Sequence, residues 1–451
     1  MISAREAALK ALVEIEKESM YANLVLPGYL KNVSPKSRAF TRSIVYGTVR
    51  HQNTLDWSIS LYLKRPLGDL TPFIRNLLRS AAYQVIYLDN IPPQVTVDES
   101  VKLAYRYGHK GVAGLVNAVM RRIVSQGKDL PWPREDKEKE RFLSLYYSIP
   151  EWLVRRWINR MGYRDTVELC RALNEIPAVS IRANLLKTKR EDLMSRLYSE
   201  GIETEVAKSL PEALTVSVNN SKSIPLLSSY REGLFTLQGE SSMIAGRVMN
   251  PLPGKTVLDI CSAPGGKTTH LAELMEDRGE ITARDINPRR IKLVQEQAKR
   301  LGLKIIKTEV GDATVKENYK KPTDYILVDA PCSGLGVLNR KPDLKWRKSE
   351  GHIKQLSRLQ KKIMGTASNA LRSGGLLLYC VCTNEPEETV EVVGDFLRNH
   401  PDFTPLSADE YESYGKHYLT KNRKGPDYLE ILPHIHGKDG FFISALRKNK
   451  A

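Results

Sequence analysis

Apolar residues in the first 125 positions recur at helical spacing, and no strand-like alternation competes with them. Ser3 and Glu6 are spaced as a capping box, and Ala8, Leu9, Leu12 and Ile15 follow on one helical face. Thr71 and Pro72 stand where an N-cap and a first helical residue belong, ahead of a face built from Ile74, Leu77, Leu78, Ala81, Val85 and Ile86. Asn90, Ile91, Pro92 and Pro93 end that helix. Further helices are predicted over about 97–107 and 112–124. From 126 to 141 the periodicity lapses into Gly, Pro and dense charge, the composition of a linker.

Beyond that stretch the period alternates. Short helices are predicted over 150–161 and 163–173, and a β-rich segment over 179–185. Thr188 and Glu191 form a second capping-box pattern, Gly201 closes the helix it opens, and strands are expected at 202–206 and 214–218. From 233 onward strands at 256–260, 280–285, 305–310, 325–328 and 376–381 are interleaved with helices at 267–275 and 288–301. That alternation predicts a mostly parallel sheet with helices on both faces and a ligand crevice beyond the carboxyl ends of its strands. The chain therefore divides into an all-α domain (1–127), a linker (128–143), a small α+β domain (144–232) and an α/β Rossmann-like domain (233–449).

Composition narrows the partners. Lys and Arg outnumber Asp and Glu 69 to 52, a net charge of +17 that attracts polyanions, nucleic acid before anionic membrane. No apolar run approaches the roughly 20 residues of a membrane span, and a cytoplasmic location is expected. Five cysteines in no C-x-x-C pair predict neither a disulfide framework nor a zinc site, and no metal is expected; the isolated His434-x-His436 reads as loop chemistry.

Two segments carry candidate chemistry. The first is the turn after the strand at 256–260: Cys261, Ser262, Ala263, Pro264, Gly265, Gly266, Lys267 and Thr268. Small residues there let a ligand approach the backbone, and a helix N-terminus follows. A phosphate-binding loop would need glycine where Cys261 stands. A nucleoside site instead needs acids on the following strand ends, and Asp285 and Asp312 occupy them. The second is a pair of strand-end segments, Asp329-Ala330-Pro331-Cys332-Ser333-Gly334 and Tyr379-Cys380-Val381-Cys382-Thr383-Asn384. An acid and cysteines on one sheet edge suit covalent catalysis. Carbon 5 of cytosine is a poor nucleophile until a thiolate adds at carbon 6, and a carboxyl near N3 stabilises the charge that then gathers there. Residues two apart share a strand face, so Cys380 should lie beneath Cys382, which is nearer the open end. Cys170 and Cys261 read as small buried hydrophobes.

These segments resemble the NOL1/NOP2/Sun family of RNA cytosine-5 methyltransferases, in 259–268, 329–334 and 379–383 with Pro386-Glu387-Glu388, and also in Arg182-Ala183-Asn184-Leu185-Leu186-Lys187 and Gln238-Gly239-Glu240-Ser241-Ser242. Residues 42–50, 91–101 and 115–122 are similar to a NusB-type RNA-binding domain, a pairing found in bacterial 16S rRNA enzymes of the Sun/Fmu type. The resemblance implies an RRM-like middle domain, a class I methyltransferase fold, S-adenosylmethionine (SAM) as cofactor and a monomer. It further implies that Cys261 to Lys267, Asp285, Asp312 and Asp329 line the cofactor site, that Cys382 attacks carbon 6, that Asp329 stabilises N3 and that Cys332 assists release. Where the family has Ser-Thr before its nucleophile this chain has Cys380-Val381, and its Gln-Asp pair is Gln238-Gly239 here.

The implied substrate is single-stranded or looped 16S rRNA, because carbon 6 is hidden in a duplex. Lys36, Arg38, Arg42, Arg50, Arg121 and Arg122 are candidates for a phosphate-tracking face. Three readings follow: methylation of 16S rRNA, the same chemistry on tRNA or another rRNA site, and a non-catalytic ribosome assembly factor. Asp329, Cys332 and Cys382 argue against the last.

Overall fold

A computed structural model describes residues 2–207, 210–217, 224–316, 321–411, 416–421 and 425–450. Contacts divide the chain into two units, Met1–Glu175 with Lys341–Arg347, and Ile176–Arg340 with Lys348–Ala451. Among the described residues no helix is long and apolar enough to cross a membrane.

The first unit is helical. Its N-terminal helix, Ala4–Lys17, is capped by Ser3, whose hydroxyl accepts from the Glu6 amide at 3.1 Å. The capping box is only half formed: the buried Glu6 carboxylate turns instead to Arg106, 2.8 Å away, and to Tyr107. Helices Pro72–Tyr87, Pro93–Tyr107 and Lys110–Gln126 pack Leu77, Leu78, Ala104, Val116 and Ile123 with Leu9, Leu55 and Ile59 into one core. Pro93, expected only to end a helix, also opens the next at its first turn.

Residues 144–175, placed with the small α+β domain from their sequence, pack in this first unit. Hydrogen bonds explain the assignment: the Asn53 amide donates to the Ser144 carbonyl at 3.1 Å and the Thr54 hydroxyl to that of Leu145 at 2.6 Å. The segment Lys341–Arg347 also belongs here. Asp343 accepts from the Ala22 amide at 2.8 Å, Lys345 donates to the Arg50 carbonyl at 2.7 Å, and the Trp346 indole donates to the Val49 carbonyl at 2.7 Å. Lys345 is buried, and that burial, with Arg50 beside it, lowers its pKa to about 7.

The second unit holds two sheets. The smaller is antiparallel, ordered β2-β3-β1-β4, with β1 Val179–Ala183, β2 Thr204–Val206, β3 Ala213–Val216 and β4 Phe235–Leu237. Ile181, Leu214 and Phe235 meet Leu193 and Leu197 of the helix Arg190–Ser199 in its core. Val218, the last residue of the strand expected at 214–218, lies outside the described residues. The capping box expected at Thr188 is absent: the helix starts one residue later, behind Lys189, and the Thr188 hydroxyl donates to the Lys189 carbonyl.

Among the described residues the larger sheet has nine strands: β5 Thr256–Asp259, β6 Glu280–Asp285, β7 Ile306–Val310, β8 Thr323–Asp329, β9 Leu371–Val381, β10 Phe403–Pro405, β11 Leu419–Thr420, β12 Tyr428–Ile431 and β13 Phe441–Lys448. Its order is β11-β12-β13-β9-β8-β5-β6-β7, with β10 on β13. Strands β5 to β9 are parallel, as expected. The remainder is antiparallel, so the sheet is mixed. Leu327, Leu378 and Ile443 fill one face; Ile326, Leu377 and Phe442 fill the other.

Candidate active site

Three neighbouring parallel strands deliver acids to one edge. At the end of β5 the chain passes through Cys261 to Gly265 and turns into the helix Gly266–Leu274. Gly265 sits at φ +103°, where a side chain is strained, and a Cβ there would stand 3.2 Å from Val294 Cα. Asp285 closes β6 and is buried; its Oδ1 accepts from the Asn287 amide at 2.9 Å, and Arg290 lies 3.6 Å from Oδ2. Asp312 follows β7 and accepts from the Thr314 amide and hydroxyl, both at 2.8 Å, which lowers its pKa. Ile286, next to Asp285, is 65% exposed. The buried Ser262 hydroxyl has no hydrogen-bond partner among the described residues. An open apolar side chain, an unpaired hydroxyl and strand-end carboxylates fit a nucleoside cofactor.

The chemical groups gather at the ends of β8 and β9. Asp329 stands opposite Cys380 in the parallel register, and the Cys380 thiol lies 3.6 Å from its Oδ1. Lys267, expected to line the cofactor loop, directs its ammonium to Asp329 Oδ2 at 2.8 Å, with the Phe441 ring 4.9 Å away. Burial opposes the charge on Lys267, but Asp329 and Cys380 outweigh it and raise the pKa. One side chain thus joins the glycine turn to the acid. Cys382 is half-buried, and its sulfur lies 3.3 Å from that of Cys332. The Ser333 and Thr383 hydroxyls, each one residue further on, are 3.0 Å apart.

Cys380 lies in the core, and burial followed by Asp329 pushes its thiol well above the usual range. Cys380 and Cys382 pack in the same core cluster, Cys380 buried and Cys382 half-buried at the strand end. Cys170 is buried too, its thiol pushed up to about 12. Cys261, expected to be buried, is half-buried, and its thiol is raised by desolvation and by the surrounding acids.

Several groups had no role assigned from sequence. Asp259 is buried beneath the turn; Thr268 donates to its Oδ2 at 2.7 Å, yet burial, with Asp329 nearby, raises its pKa to about 7. Arg182 on β1 reaches the helix after the turn, donating to the Gly266 carbonyl at 2.8 Å and pairing with Glu273 at 2.8 Å. The signal was present, since both Asp259 and Arg182 fall inside the motifs that carry the resemblance, but a motif does not say what its members touch. Arg50, expected on a phosphate-tracking face, is mostly enclosed and donates to the Asn174 carbonyl at 3.4 Å, whereas Lys36, Arg42, Arg121 and Arg122 are exposed. His436 accepts from the Leu432 amide, and among the described residues no cluster of metal-binding side chains occurs.

The mixed sheet, its glycine turn and its strand-end acids place this domain in the Rossmann-like methyltransferase class. Family models match in three places: 16S rRNA methyltransferase RsmB/F over residues 246–447, the NusB family over 2–125 and the RsmF/B-like ferredoxin-like domain over 149–221. The chain is 36% identical to the probable ribosomal RNA small subunit methyltransferase B of Bacillus subtilis (strain 168), over 99% of both proteins. It resembles the crystal structure of PH0851 with a TM-score of 0.81 and 27% identity, covering 99% of each chain. It also resembles NSun6 from Pyrococcus horikoshii, crystallised with SFG, with a TM-score of 0.60 and 26% identity over 67% of this chain and 99% of that one. The chain belongs to the RsmB/F family of 16S rRNA small-subunit methyltransferases.

Proposed function

We propose that this protein methylates carbon 5 of one cytosine in 16S rRNA, expected at position 967 in standard numbering, through a covalent bond between Cys382 and carbon 6. The observation that supports this most directly is the 3.3 Å approach of the Cys332 and Cys382 sulfurs beside Asp329 on the adjoining strand. The cofactor is SAM, which supplies an electrophilic methyl group when bound; the analogue SFG was crystallised with the NSun6 relative. Gly265, Ser262, Asp285 and Asp312 would hold it.

The chain's own groups account for the rest. Cys382 adds to carbon 6, breaks the ring's aromaticity and makes carbon 5 nucleophilic. Asp329, held by Lys267, faces the N3 side and stabilises the charge that develops there. Cys332 assists loss of the carbon-5 proton, so that Cys382 can leave. The basic helical unit binds RNA as a monomeric enzyme's substrate anchor, and the target cytosine is unpaired or turned out of its stack.

The test is bisulfite sequencing of all rRNA and tRNA from a deletion strain complemented with the parental gene or with Cys382→Ala. The reading requires one 16S cytosine to lose protection in the deletion, regain it with the parental gene and stay unprotected with the variant. Protection restored by Cys382→Ala would remove the mechanism, and a change confined to tRNA would remove the substrate.

A further inference from the structure

The loop bearing Cys332 is held from below by two buried side chains. Glu388, in the short turn Pro386–Glu388, accepts from the Ser333 amide at 2.8 Å. Gln360, on the helix Glu350–Ala367, donates to the Pro331 carbonyl at 2.9 Å. The backbone groups on both sides of Cys332 are therefore fixed, and the two side chains meet each other at 3.0 Å. Both are fully buried. The Glu388 backbone is itself tied to β9, because the Tyr379 hydroxyl donates to its carbonyl at 2.6 Å.

This arrangement is costly. Glu388 has no ion-pair partner among the described residues, and its Oε2 and the Gln360 Oε1 accept no hydrogen bond there. Burial raises the Glu388 pKa against the hydrogen bonds from Ser333 and Gln360. A leucine in its place would avoid the desolvation penalty, so a purely structural prop does not require a carboxyl group. What the carboxyl group does supply is an acceptor for the Ser333 amide, next to Cys332 in the chain. The thiol of Cys332 is pushed well up by its hydrogen bond to Cys382, by burial and by the charges of Cys382 and Glu388.

We infer that Glu388, with Gln360, is a positioning residue that holds Cys332 over the cytosine gripped by Cys382 and so serves the release step; this rests on the function proposed above. In that step Cys332, its own thiol proton first released to solvent, takes the carbon-5 proton as the thiolate, the C–H electron pair becomes the C5–C6 double bond, and the C6–S bond breaks with its electrons on the Cys382 sulfur. If Cys332 is misplaced, addition and methyl transfer still occur, but the RNA is not let go.

The experiment follows full-length parental protein, Glu388→Ala, Glu388→Gln and Gln360→Ala with tritiated SAM and a 16S rRNA transcript. Methyl counts give first and later turnovers, and a denaturing gel reveals protein covalently bound to RNA. Glu388→Ala should keep its first turnover and cofactor affinity, build up adduct and turn over roughly tenfold or more slowly, since misplacement by about 1 Å can cost a hundredfold. Glu388→Gln keeps an acceptor for Ser333 and should recover most of the later turnovers. Glu388→Ala with parental turnover and no added adduct overturns the inference, and so does equal loss of first and later turnovers in a variant that melts normally. If Glu388→Ala does not fold, adduct build-up in Gln360→Ala supports the inference and its absence overturns it. Parental protein that forms neither product nor adduct on any cytosine-containing RNA overturns the proposed function itself.

Discussion

Replacing Arg182 with methionine should destabilise the second unit far more than replacing Arg182 and Glu273 together. The Arg182 side chain is fully enclosed and that of Glu273 is 7% exposed. Arg182 donates twice to the Glu273 carboxylate, at 2.8 and 3.0 Å, and donates also to the Gly266 carbonyl, Thr269 and Gln238. Removing one partner of such a pair strands a buried charge, at a cost of about 3–5 kcal/mol, whereas an apolar pair of similar volume is often neutral. At roughly 2–4 °C per kcal/mol for a unit of this size, Arg182→Met should lower the melting temperature by about 6–20 °C. Burial already raises the Glu273 pKa against the pull of Arg182, so in the single variant the carboxyl takes up a proton and the loss falls toward the lower figure. Circular dichroism melts of the single and double variants supply the comparison. Calorimetry with SAM should show weaker binding in both, because the Gly266 carbonyl lies in the turn proposed to hold the cofactor. A single variant melting within about 1 °C of the parent, or a double variant less stable than the single, would refute the argument.

Three other outcomes are expected. Asp259 titrates at about 7 when folded against 3.8 for an unperturbed aspartate, so the native state holds the extra proton between those values and stability falls as pH rises from about 4 to 7, by about 4 kcal/mol; Asp259→Asn should flatten that fall in urea titrations. Lys345 is the reverse case, about 7 when folded against 10.5, so the native state binds fewer protons in that window and the stability of the first unit should rise with pH from about 7 to 10. Lys345→Met should abolish the rise, and an unchanged profile would show that the amine is not enclosed. Changing Lys36, Arg121 and Arg122 to Ser should weaken binding to single-stranded RNA and reduce the salt slope by about 0.7 for each phosphate no longer neutralised, leaving the chemical step intact.

Much of the site was legible because its members lie in short local motifs. The turn at Gly265, Asp329 and the order of Cys380 and Cys382 all follow from strand ends and a two-residue repeat. The partners of those residues were not legible. Arg182 meets Glu273 across 91 positions, and Glu388 meets Ser333 across 55; no periodicity links them. Strands β10 to β13 are not legible for another reason. β10 and β11 are very short, while Phe441 to Leu446 of β13 are buried on both faces and show no alternation. The segment Lys341–Arg347 has the composition of a surface loop, yet Lys345 within it is buried.

That segment bears on how the protein is born. The helical unit includes seven residues that the ribosome does not add until position 347, long after Glu175. At about 5–20 residues per second, roughly 10–30 s separate the two points. During that interval the carbonyls of Val49 and Arg50 and the amide of Ala22 await their later partners. The amino-terminal part of this chain therefore cannot finish folding first, and a fragment cut at 175 is an incomplete object rather than an independent module.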